Sequence, residues 1–346
     1  MKATILDPAE VPYSALDAFE DRTVFQTREW LAFLEDTQGA RPVIAELRDG
    51  GEVLGYYSGL TFQRFGVRIL GGSFPGWTTP YIGFNLREGA PRREALAAIE
   101  KLAFDELRCL HMEISDRGLS VEDGKALGFE IGSLESYQTD LRQTEEEIFR
   151  RMTSACRRCI RKAEKSGVTV EETRDPAFAE EYYDQLQDVF RKQKLVPTYG
   201  VERVRALVRH LAPTGRLLLI RALDPDGKCM GSGIYPGFNK IALFWGNASY
   251  RSMQILRPNE TLHWYAMRYW KARGIEVFDW GGGGTYKEKY GPTPSATVWL
   301  SKSKYRTLGR LRNAAKALVA ARQRLLGRLR AARGGPESAP GDAENS

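Results

Sequence analysis

The sequence predicts an α/β protein of the mixed (α+β) kind, in which one unit, a mixed sheet flanked by helices, occurs twice. Two segments share strand lengths and an Asp-Gly turn, RPVIAELRDGGEVLGYYSGL at 41–60 and RLLLIRALDPDGKCMGSGIY at 216–235. Each segment is followed by a strand, a helix and a further strand. The length agrees, since 346 residues suit two domains of ordinary size.

The first unit is predicted to span residues 1–140. Apolar spacing of three and four residues indicates a helix in TREWLAFLEDT, and the Asp-Gly-Gly turn then joins two strands. A strand in VRILGG, a loop rich in Gly and Pro, a helix that begins near Pro91 and a strand in CLHMEIS follow.

The second unit is predicted to span residues 141–305. Thr144 and Glu147 form a capping-box pattern, which predicts one long helix that reaches Gly167. Hydrophobic periodicity then predicts a strand, two helices and the repeated strand pair. A strand in KIALFWGNAS, an amphipathic helix from Glu260 to Arg273 and a buried strand in IEVFDW complete the unit.

The C-terminal segment carries most of the positive charge. Residues 302–333 contain 11 Lys or Arg and no acid, and subtracting them from the net charge of +7 leaves −4 for the rest. Leucines three and four residues apart predict a basic amphipathic helix at 306–333. Such a helix can dock on the body, pair with another chain or lie on an anionic membrane. Residues 334–346 are polar and predicted to be disordered.

The composition favours a cytoplasmic protein, with peripheral contact at the inner membrane face as an added role for the basic helix. No apolar run approaches the roughly 18 residues of a membrane span, and acids and prolines occupy the N-terminus. Cys156 and Cys159 lie one helical turn apart without a second ligand pair nearby, so we expect buried thiols. The three histidines are not clustered, and no metal site is expected.

The stretch FDWGGGGTYKEKYG at 278–291 is the strongest functional signal. Gly281, Gly282, Gly283 and Gly284 begin where a buried strand ends, and glycine there lets a ligand approach the main chain. A flexible loop is the alternative. Lys287, in the helical turn that follows, could hold a phosphate or stabilise an oxyanion, and a tyrosine phenol could donate a proton. Tyrosines that pack in the core and solvated lysines are the structural alternative.

Four stretches resemble the FemAB-like branch of the GNAT acyltransferase superfamily, namely RRCIRKAEKSGVTVEE (157–172), FWGNASY (244–250), PNETLHWYAMRYWKARGIEVFDWGGG (258–283) and YKEKYG (286–291). The resemblance covers about residues 20–305. It implies tandem GNAT-like domains and acyl transfer. It also puts Lys287 in the place of the family's motif lysine at the acyl centre, with Tyr286 and Tyr290 in the flanking aromatic positions.

A GNAT-like sheet would place the cleft between KIALFWGNAS and IEVFDW. The residues expected to line it are Tyr235, Asn247, Tyr250, Asp279 and Lys287, and the predicted catalytic set is Lys287, Tyr286 and Asp279. Arg157, Arg158 and Arg161, on one face of a basic helix, are predicted to lie near phosphates of the acceptor or the donor. A solvated helix face is the alternative for these arginines.

The predicted reaction joins an acyl group to an amino group of a bulky anionic acceptor, such as a diphosphate-linked cell-envelope or polysaccharide precursor. The first donor is an acyl-CoA such as acetyl-CoA. However, RSMQILRPNE lacks the glycines of the usual pyrophosphate loop. The long coiled-coil arm of some peptidoglycan-bridge aminoacyltransferases is also absent, so an aminoacyl-tRNA donor that builds peptidoglycan bridges stays an open alternative to acyl-CoA. A non-catalytic protein that binds a polyanion or a membrane is the alternative from another class.

Overall fold

The computed structural model describes residues 1–309, except residues 65, 75, 193–194 and 283. Three predicted features therefore lie outside the described residues, namely Gly283, residues 310–333 of the basic helix and the tail at 334–346. The strands are β1 (Lys2–Ile5), β2 (Arg41–Asp49), β3 (Glu52–Arg64), β4 (Val67–Gly71), β5 (Phe84–Leu86), β6 (His111–Ser115), β7 (Glu130–Asp140), β8 (Thr169–Thr173), β9 (Leu217–Leu223), β10 (Cys229–Phe238), β11 (Ile241–Leu243), β12 (Gly246–Ser249), β13 (Val277–Asp279) and β14 (Thr293–Ser303).

Helices cover the sheet. They are α1 (Tyr13–Asp17), α2 (Arg28–Gln38), α3 (Arg92–Lys101), α4 (Val121–Ala126), α5 (Glu145–Arg151), α6 (Ser154–Lys165), α7 (Phe178–Lys192), α8 (Val201–Leu211) and α9 (Pro258–Lys271). The predicted capping box at the start of α5 is confirmed. The Thr144 hydroxyl accepts from the Glu147 N–H, and the Glu147 carboxylate accepts from the Thr144 N–H.

All strands belong to one mixed sheet, so the predicted fold class is confirmed. The order is β1-β2-β3-β4-β6-β14-β7-β13-β11-β10-β9-β8, with β5 added to β3 and β12 added to β10. In the first half, β2, β3 and β4 pair antiparallel, and β4 then pairs in parallel with β6. In the second half, β9, β10 and β11 pair antiparallel, and β11 then pairs in parallel with β13. The same unit therefore occurs twice, as the two Asp-Gly hairpins predict.

The two halves exchange their last strands. Strand β14, from the end of the described chain, lies between β6 and β7, and β7 in turn pairs with β13. Neither β7 nor β14 was predicted from the sequence. Strand pairing therefore crosses the predicted domain boundary at residue 141, and the two halves share one sheet. The position of this boundary stays a prediction.

The predicted long helix from Thr144 to Gly167 is wrong, because two helices occupy this segment. Helix α5 ends at Arg151, and Met152 is extended with ψ of 149°. The Thr153 side chain then accepts from the Cys156 N–H and caps α6. The Thr153 N–H donates to the Lys289 carbonyl at 2.9 Å, so the break joins the start of α6 to the lysine turn near 287.

One core cluster holds the two halves together. Helix α2 of the first half packs against α8 of the second. Leu31 and Leu34 of α2 and Val204 and Leu207 of α8 are all at most 1 % exposed and belong to this cluster. Burial of such leucine and valine side chains contributes about 1.5–3 kcal/mol each. The relative position of the halves is therefore set by apolar packing as well as by the shared sheet.

Candidate active site

The sheet opens beside β13. Strands β11 and β13 pair in parallel for three residues, ending with Leu243 opposite Asp279. The Phe244 N–H still donates to the Asp279 carbonyl at 2.8 Å, and from Gly246 onward the chain pairs with β10 as β12. The predicted single strand KIALFWGNAS is thus interrupted at Phe244–Trp245. This separation is the expected place for a ligand at the end of β13.

The glycine segment leaves bare backbone at this opening. Gly281 has φ of +69°, and a Cβ at Gly282 would meet no heavy atom within 4 Å. The chain then forms a 3₁₀ helix at Thr285–Tyr290, which Gly291 ends with φ of +70°. Glycine suits both left-handed positions because it has no Cβ. The main chain of Gly281 and Gly282 is therefore accessible to a bound group.

Lys287 points back toward these glycines. Its side chain is only 6 % exposed, and Nζ donates to the Gly282 carbonyl at 2.5 Å. The rings of Phe244 and Tyr286 have their centroids 5.7 Å from Nζ. Burial lowers the pKa of Lys287 from 10.5 to about 8, although the negative charge of Asp279 acts in the opposite direction. The ammonium is thus the major form at pH 7.

Asp279 is engaged on both oxygens. Oδ1 accepts from the Ser136 hydroxyl and, at 2.8 Å, from the Gly281 N–H. Oδ2 accepts from Tyr81 at 3.3 Å and from Gln138 at 3.2 Å. At 1 % exposure with four donors around it, this carboxylate orients neighbouring groups, and its place in the predicted catalytic set stays a prediction.

The tyrosines of the predicted site differ in position. Tyr290 is stacked on Trp280 at 4.5 Å between centroids, and Tyr235 is fully buried with its hydroxyl 3.0 Å from Nδ1 of His263. Burial lowers the pKa of His263 well below 6.5, so this ring is neutral. Tyr235 and Tyr290 belong to the core beneath Lys287 rather than to an open cleft. Tyr286 is half-buried next to Lys287, and burial raises the pKa of its phenol.

Asn247 and Tyr250 lie across the opening. Asn247 is half-buried on β12, opposite Gly233 of β10. The Tyr250 hydroxyl donates to Asp184 of α7 at 2.7 Å. This hydrogen bond occupies the phenol, so Tyr250 supports the edge of the opening and is not placed to donate a proton there.

The three arginines of α6 are not equivalent. Arg157 donates to the carbonyls of Arg150 and Met152, so its guanidinium caps the end of α5. Arg158 and Arg161 are exposed, and Arg161 lies over the ring of Phe149 at 5.3 Å. Only Arg158 and Arg161 therefore keep the exposure that the predicted phosphate contact requires.

A polar groove of about 690 Å³ lies between the two halves. Its lining includes Asp36 of α2, Gly76 and Trp77 of the β4–β5 connection, Tyr199, and Arg203 and Arg209 of α8. Arg203 is 8 % exposed and donates to the Gly76 carbonyl and to the Thr78 hydroxyl. Its buried Nε has no hydrogen-bond partner in the part of the chain that the structure describes.

The groove and Lys287 are separated by residues 244–246. Phe244 contacts Lys287, while Trp245 contacts Tyr199 at 5.5 Å between ring centroids. The Tyr199 hydroxyl lies 3.0 Å from the Tyr182 hydroxyl. A Cβ added to Gly246 would lie only 2.5 Å from the Tyr182 hydroxyl oxygen. Arg203 was not among the predicted site residues, and its one sequence signal is an arginine on the apolar face of α8.

Residues 150–290 match the family model described as the acetyltransferase (GNAT) domain. This segment, which is less than half of the chain, is similar to a GNAT domain. Among solved structures, FemX superimposes with a TM-score of 0.75 at 15 % identity, covering 90 % of this chain and 99 % of FemX. The superposition confirms the fold that the resemblance to the FemAB-like branch predicts, and the family match confirms the predicted enzyme class, an acyltransferase.

Two further structures share the fold. A conserved protein of unknown function from Bacteroides thetaiotaomicron has a TM-score of 0.58 at 11 % identity, covering 87 % of this chain and 99 % of its own. A tandem GNAT protein from the clavulanic acid biosynthesis pathway has a TM-score of 0.51 at 11 % identity, covering 87 % and 98 %. No curated protein sequence matches the chain.

Among the described residues of the first half, the place that corresponds to this opening, beyond the paired ends of β4 and β6, is occupied. There the chain returns, and the Ile82 N–H donates to the Ser115 carbonyl at 2.9 Å. A Cβ at Gly72 would lie 1.9 Å from the Ile82 side chain, so the space is filled. The geometry therefore favours the GNAT domain over the first half as the site of chemistry.

Neither a candidate metal-binding cluster nor a candidate membrane-spanning helix occurs in the described ranges within 1–309. These residues hold no group of three or more His, Cys, Asp or Glu that could bind a metal ion. Among the same residues, no helix combines the length and apolarity needed to cross a bilayer. None of the four cysteines forms a disulfide bond with another described residue.

Proposed function

We propose that the protein is an N-acyltransferase that forms an amide on an amino group of a bulky anionic acceptor, and that Lys287 is its catalytic residue. The observation that carries the proposal is the buried Lys287 ammonium next to the accessible backbone of Gly281 and Gly282, where β11 and β13 separate. An ammonium held in a site that excludes water interacts strongly with developing negative charge.

The proposed step is attack of a neutral amine on the donor carbonyl. A bond forms between the amine nitrogen and the carbonyl carbon, and negative charge develops on the carbonyl oxygen. The tetrahedral intermediate then expels a thiolate or a ribose oxygen, and the proton lost by the amine neutralises this leaving group. An ammonium has three N–H donors, and one contacts the Gly282 carbonyl. The others can donate to the carbonyl oxygen.

The acceptor is proposed to lie in the groove of Asp36, Trp77, Tyr199 and Arg203. The guanidinium groups of Arg203 and Arg209 line the groove and add positive charge that would attract an anionic acceptor, although Arg209 is paired with Asp36. A volume of about 690 Å³ suits a ligand larger than a simple amine. Residues 244–246 lie between this groove and Lys287, so the amino group would have to pass them to reach the lysine.

Two acyl donors are candidates. Acyl-CoA is the usual donor of GNAT domains. Against it, the segment that would hold the pyrophosphate is a 3₁₀ helix without glycine, Arg251–Leu256. That feature supports aminoacyl-tRNA as the second candidate, and the exposed Arg158 and Arg161 of α6 would suit its phosphates. The membrane contact predicted for the basic helix is a further proposal, which deletion of residues 306–346 and vesicle sedimentation would test.

The function is tested by a two-by-two screen with purified protein. The donors are acetyl-CoA and alanyl-tRNA, and the acceptors are an amino-sugar phosphate and a UDP-linked peptidoglycan precursor. We expect one donor to give an amide product that mass spectrometry detects. If neither donor reacts with either acceptor, and calorimetry shows no binding of either donor, the proposed acyl transfer is wrong.

Transfer is expected to decrease as the pH rises through about 8. The pKa of Lys287 is lowered to about 8, so its ammonium is fully present below that pH and is lost above it. The measurement is the pH dependence of kcat/KM for the donor, repeated with two acceptors whose amines differ in pKa. The decrease should stay at the same pH with both acceptors. A rate that rises through pH 8 for both would assign Lys287 as a general base instead.

A further inference from the structure

The carboxylate of Asp279 connects the two halves of the molecule at the lysine site. Its four hydrogen-bond donors come from three places: Tyr81 follows β4 in the first half, Ser136 and Gln138 belong to the exchanged strand β7, and Gly281 begins the glycine segment. Three of the donors thus lie before residue 141. The GNAT domain by itself would leave this buried carboxylate with its own backbone donor only.

Tyr81 belongs to a segment that also lines the groove. Residues 76–81 run from Gly76 and Trp77, which line it, to Tyr81, which reaches Asp279. The segment is fixed along its length: Arg203 donates to Gly76 and Thr78, and Trp30 donates through Nε1 to the Thr79 hydroxyl at 3.1 Å. Because the segment is anchored at both ends, the position of Tyr81 depends on the groove.

The route from Tyr81 to the ammonium is short. Tyr81 donates to Oδ2 of Asp279, and Oδ1 accepts from the Gly281 N–H. The next residue, Gly282, supplies the carbonyl that accepts from Lys287. Gly281 and Gly282 lack side chains that could hold them in place, so the Asp279 carboxylate is a main restraint on their backbone.

We propose that Tyr81 is a positioning residue for acyl transfer. Acting through Asp279, it fixes the glycine backbone that holds the Lys287 ammonium, and it ties this backbone to the segment that lines the acceptor groove. The inference rests on the proposed function, because it needs Lys287 to act at the acyl centre. It assigns the first half a part in catalysis beyond binding.

Tyr81→Phe is the first test. The ring stays and continues to pack against Phe25, 5.2 Å away between centroids, so the fold is expected to persist. Loss of the hydroxyl should lower kcat about 10-fold, which corresponds to about 1.4 kcal/mol, with less than a 2-fold change in the acceptor KM. Tyr57→Phe is the matched control, since Tyr57 is another buried tyrosine of the first half but lies in a different core cluster.

A double-mutant cycle separates positioning from a general loss of stability. If Tyr81 acts through Asp279, Tyr81→Phe should cost less than 2-fold in kcat once Asp279→Asn is present. Asp279→Asn alone should also move the alkaline decrease in rate to lower pH, because the charge of Asp279 raises the pKa of Lys287. Equal 10-fold costs in both backgrounds, or a Tyr81→Phe enzyme that matches the control, would overturn the positioning role.

The proposed function and the positioning role of Tyr81 would be contradicted by different results. If Lys287→Met keeps full activity, the proposed function is wrong, whatever Tyr81 does. If Lys287→Met is inactive while Tyr81→Phe has the kcat of wild type, the acyl site stands and the positioning role alone is rejected. Melting temperatures of all variants, taken in parallel, exclude misfolding as the source of a lower kcat.

Discussion

Lys287→Met is expected to lower kcat by about 10²–10³-fold with the active donor and acceptor, because a preorganised cation at a developing oxyanion contributes on this scale. Methionine has a similar length and no charge, so the site should keep its shape. The control is Lys228→Met, at an exposed lysine in the turn between β9 and β10, which should behave as wild type. A Lys287→Met enzyme within 3-fold of wild type would remove this lysine from the mechanism.

The same variant should be more stable than the wild type at pH 7. The pKa of Lys287 is about 8 in the fold against about 10.5 in the unfolded chain, so keeping the buried ammonium charged below pH 8 costs free energy. Allowing for the lost hydrogen bond to Gly282, we expect a gain on the order of 2 kcal/mol. Urea unfolding at pH 7 and pH 9.5 is the measurement.

The pH dependence has a defined sign. Between pH 8 and 10.5 the unfolded wild type binds more protons than the fold, so its free energy of unfolding gains a contribution that rises with pH. The advantage of Lys287→Met should therefore be larger at pH 7 than at pH 9.5. A variant less stable than wild type at both pH values would show that the ammonium stabilises the fold, contrary to the account.

Gly291→Ala is expected to destabilise the protein by about 3 kcal/mol or more. Gly291 has φ of +70°, which costs an L-residue about 1–2 kcal/mol. In addition, a Cβ would lie 2.3 Å from the Arg151 carbonyl oxygen at the end of α5, and this backbone cannot move freely. The substitution should therefore separate α5 from the lysine turn and lower activity together with stability.

Gly227→Ala is the matched control for this prediction. Gly227 has a similar φ of +80°, but nothing lies within 4 Å of its Cβ position. Only the backbone cost of about 1–2 kcal/mol should remain. The free energies of unfolding of both variants, from urea titrations, give the comparison. Equal losses at the two positions would mean that the contact with α5 contributes nothing.

The sequence could predict the parts of this site that depend on local pattern. Gly281 and Gly282 follow a strand of β-forming residues, and the turn that presents Lys287 ends at a glycine. The place of Lys287 at the acyl centre was implied only by the family resemblance, because spacing alone favours a solvated lysine. Capping residues located the start of α5 at Thr144. The repeated Asp-Gly hairpins predicted the tandem unit, because turn geometry and strand length are local properties.

Long-range pairing could not be predicted in this way. The exchange of β7 and β14 places Ser136 and Gln138 beside Asp279, yet nothing within either strand specifies its neighbour. The break at Met152–Thr153 depends on a hydrogen bond to Lys289, more than 130 residues away in the chain. The capping box at Thr144 predicts where a helix begins but not that it ends before Gly167. The hydrogen-bond partners of Asp279 depend in the same way on strands that are distant in the chain.

The titration of Lys287 is the most direct test of the central claim, that a buried ammonium faces the opening at the end of β13. Its ¹³Cε resonance, assigned by comparison with Lys287→Met, can be followed by NMR from pH 6 to 12. If the ammonium is buried at this opening, the pKa of Lys287 should be about 8 in the free protein. The pKa should be higher when an unreactive analogue of the active donor supplies a nearby anion. A pKa near 10.5 that does not respond to the analogue would contradict the central claim.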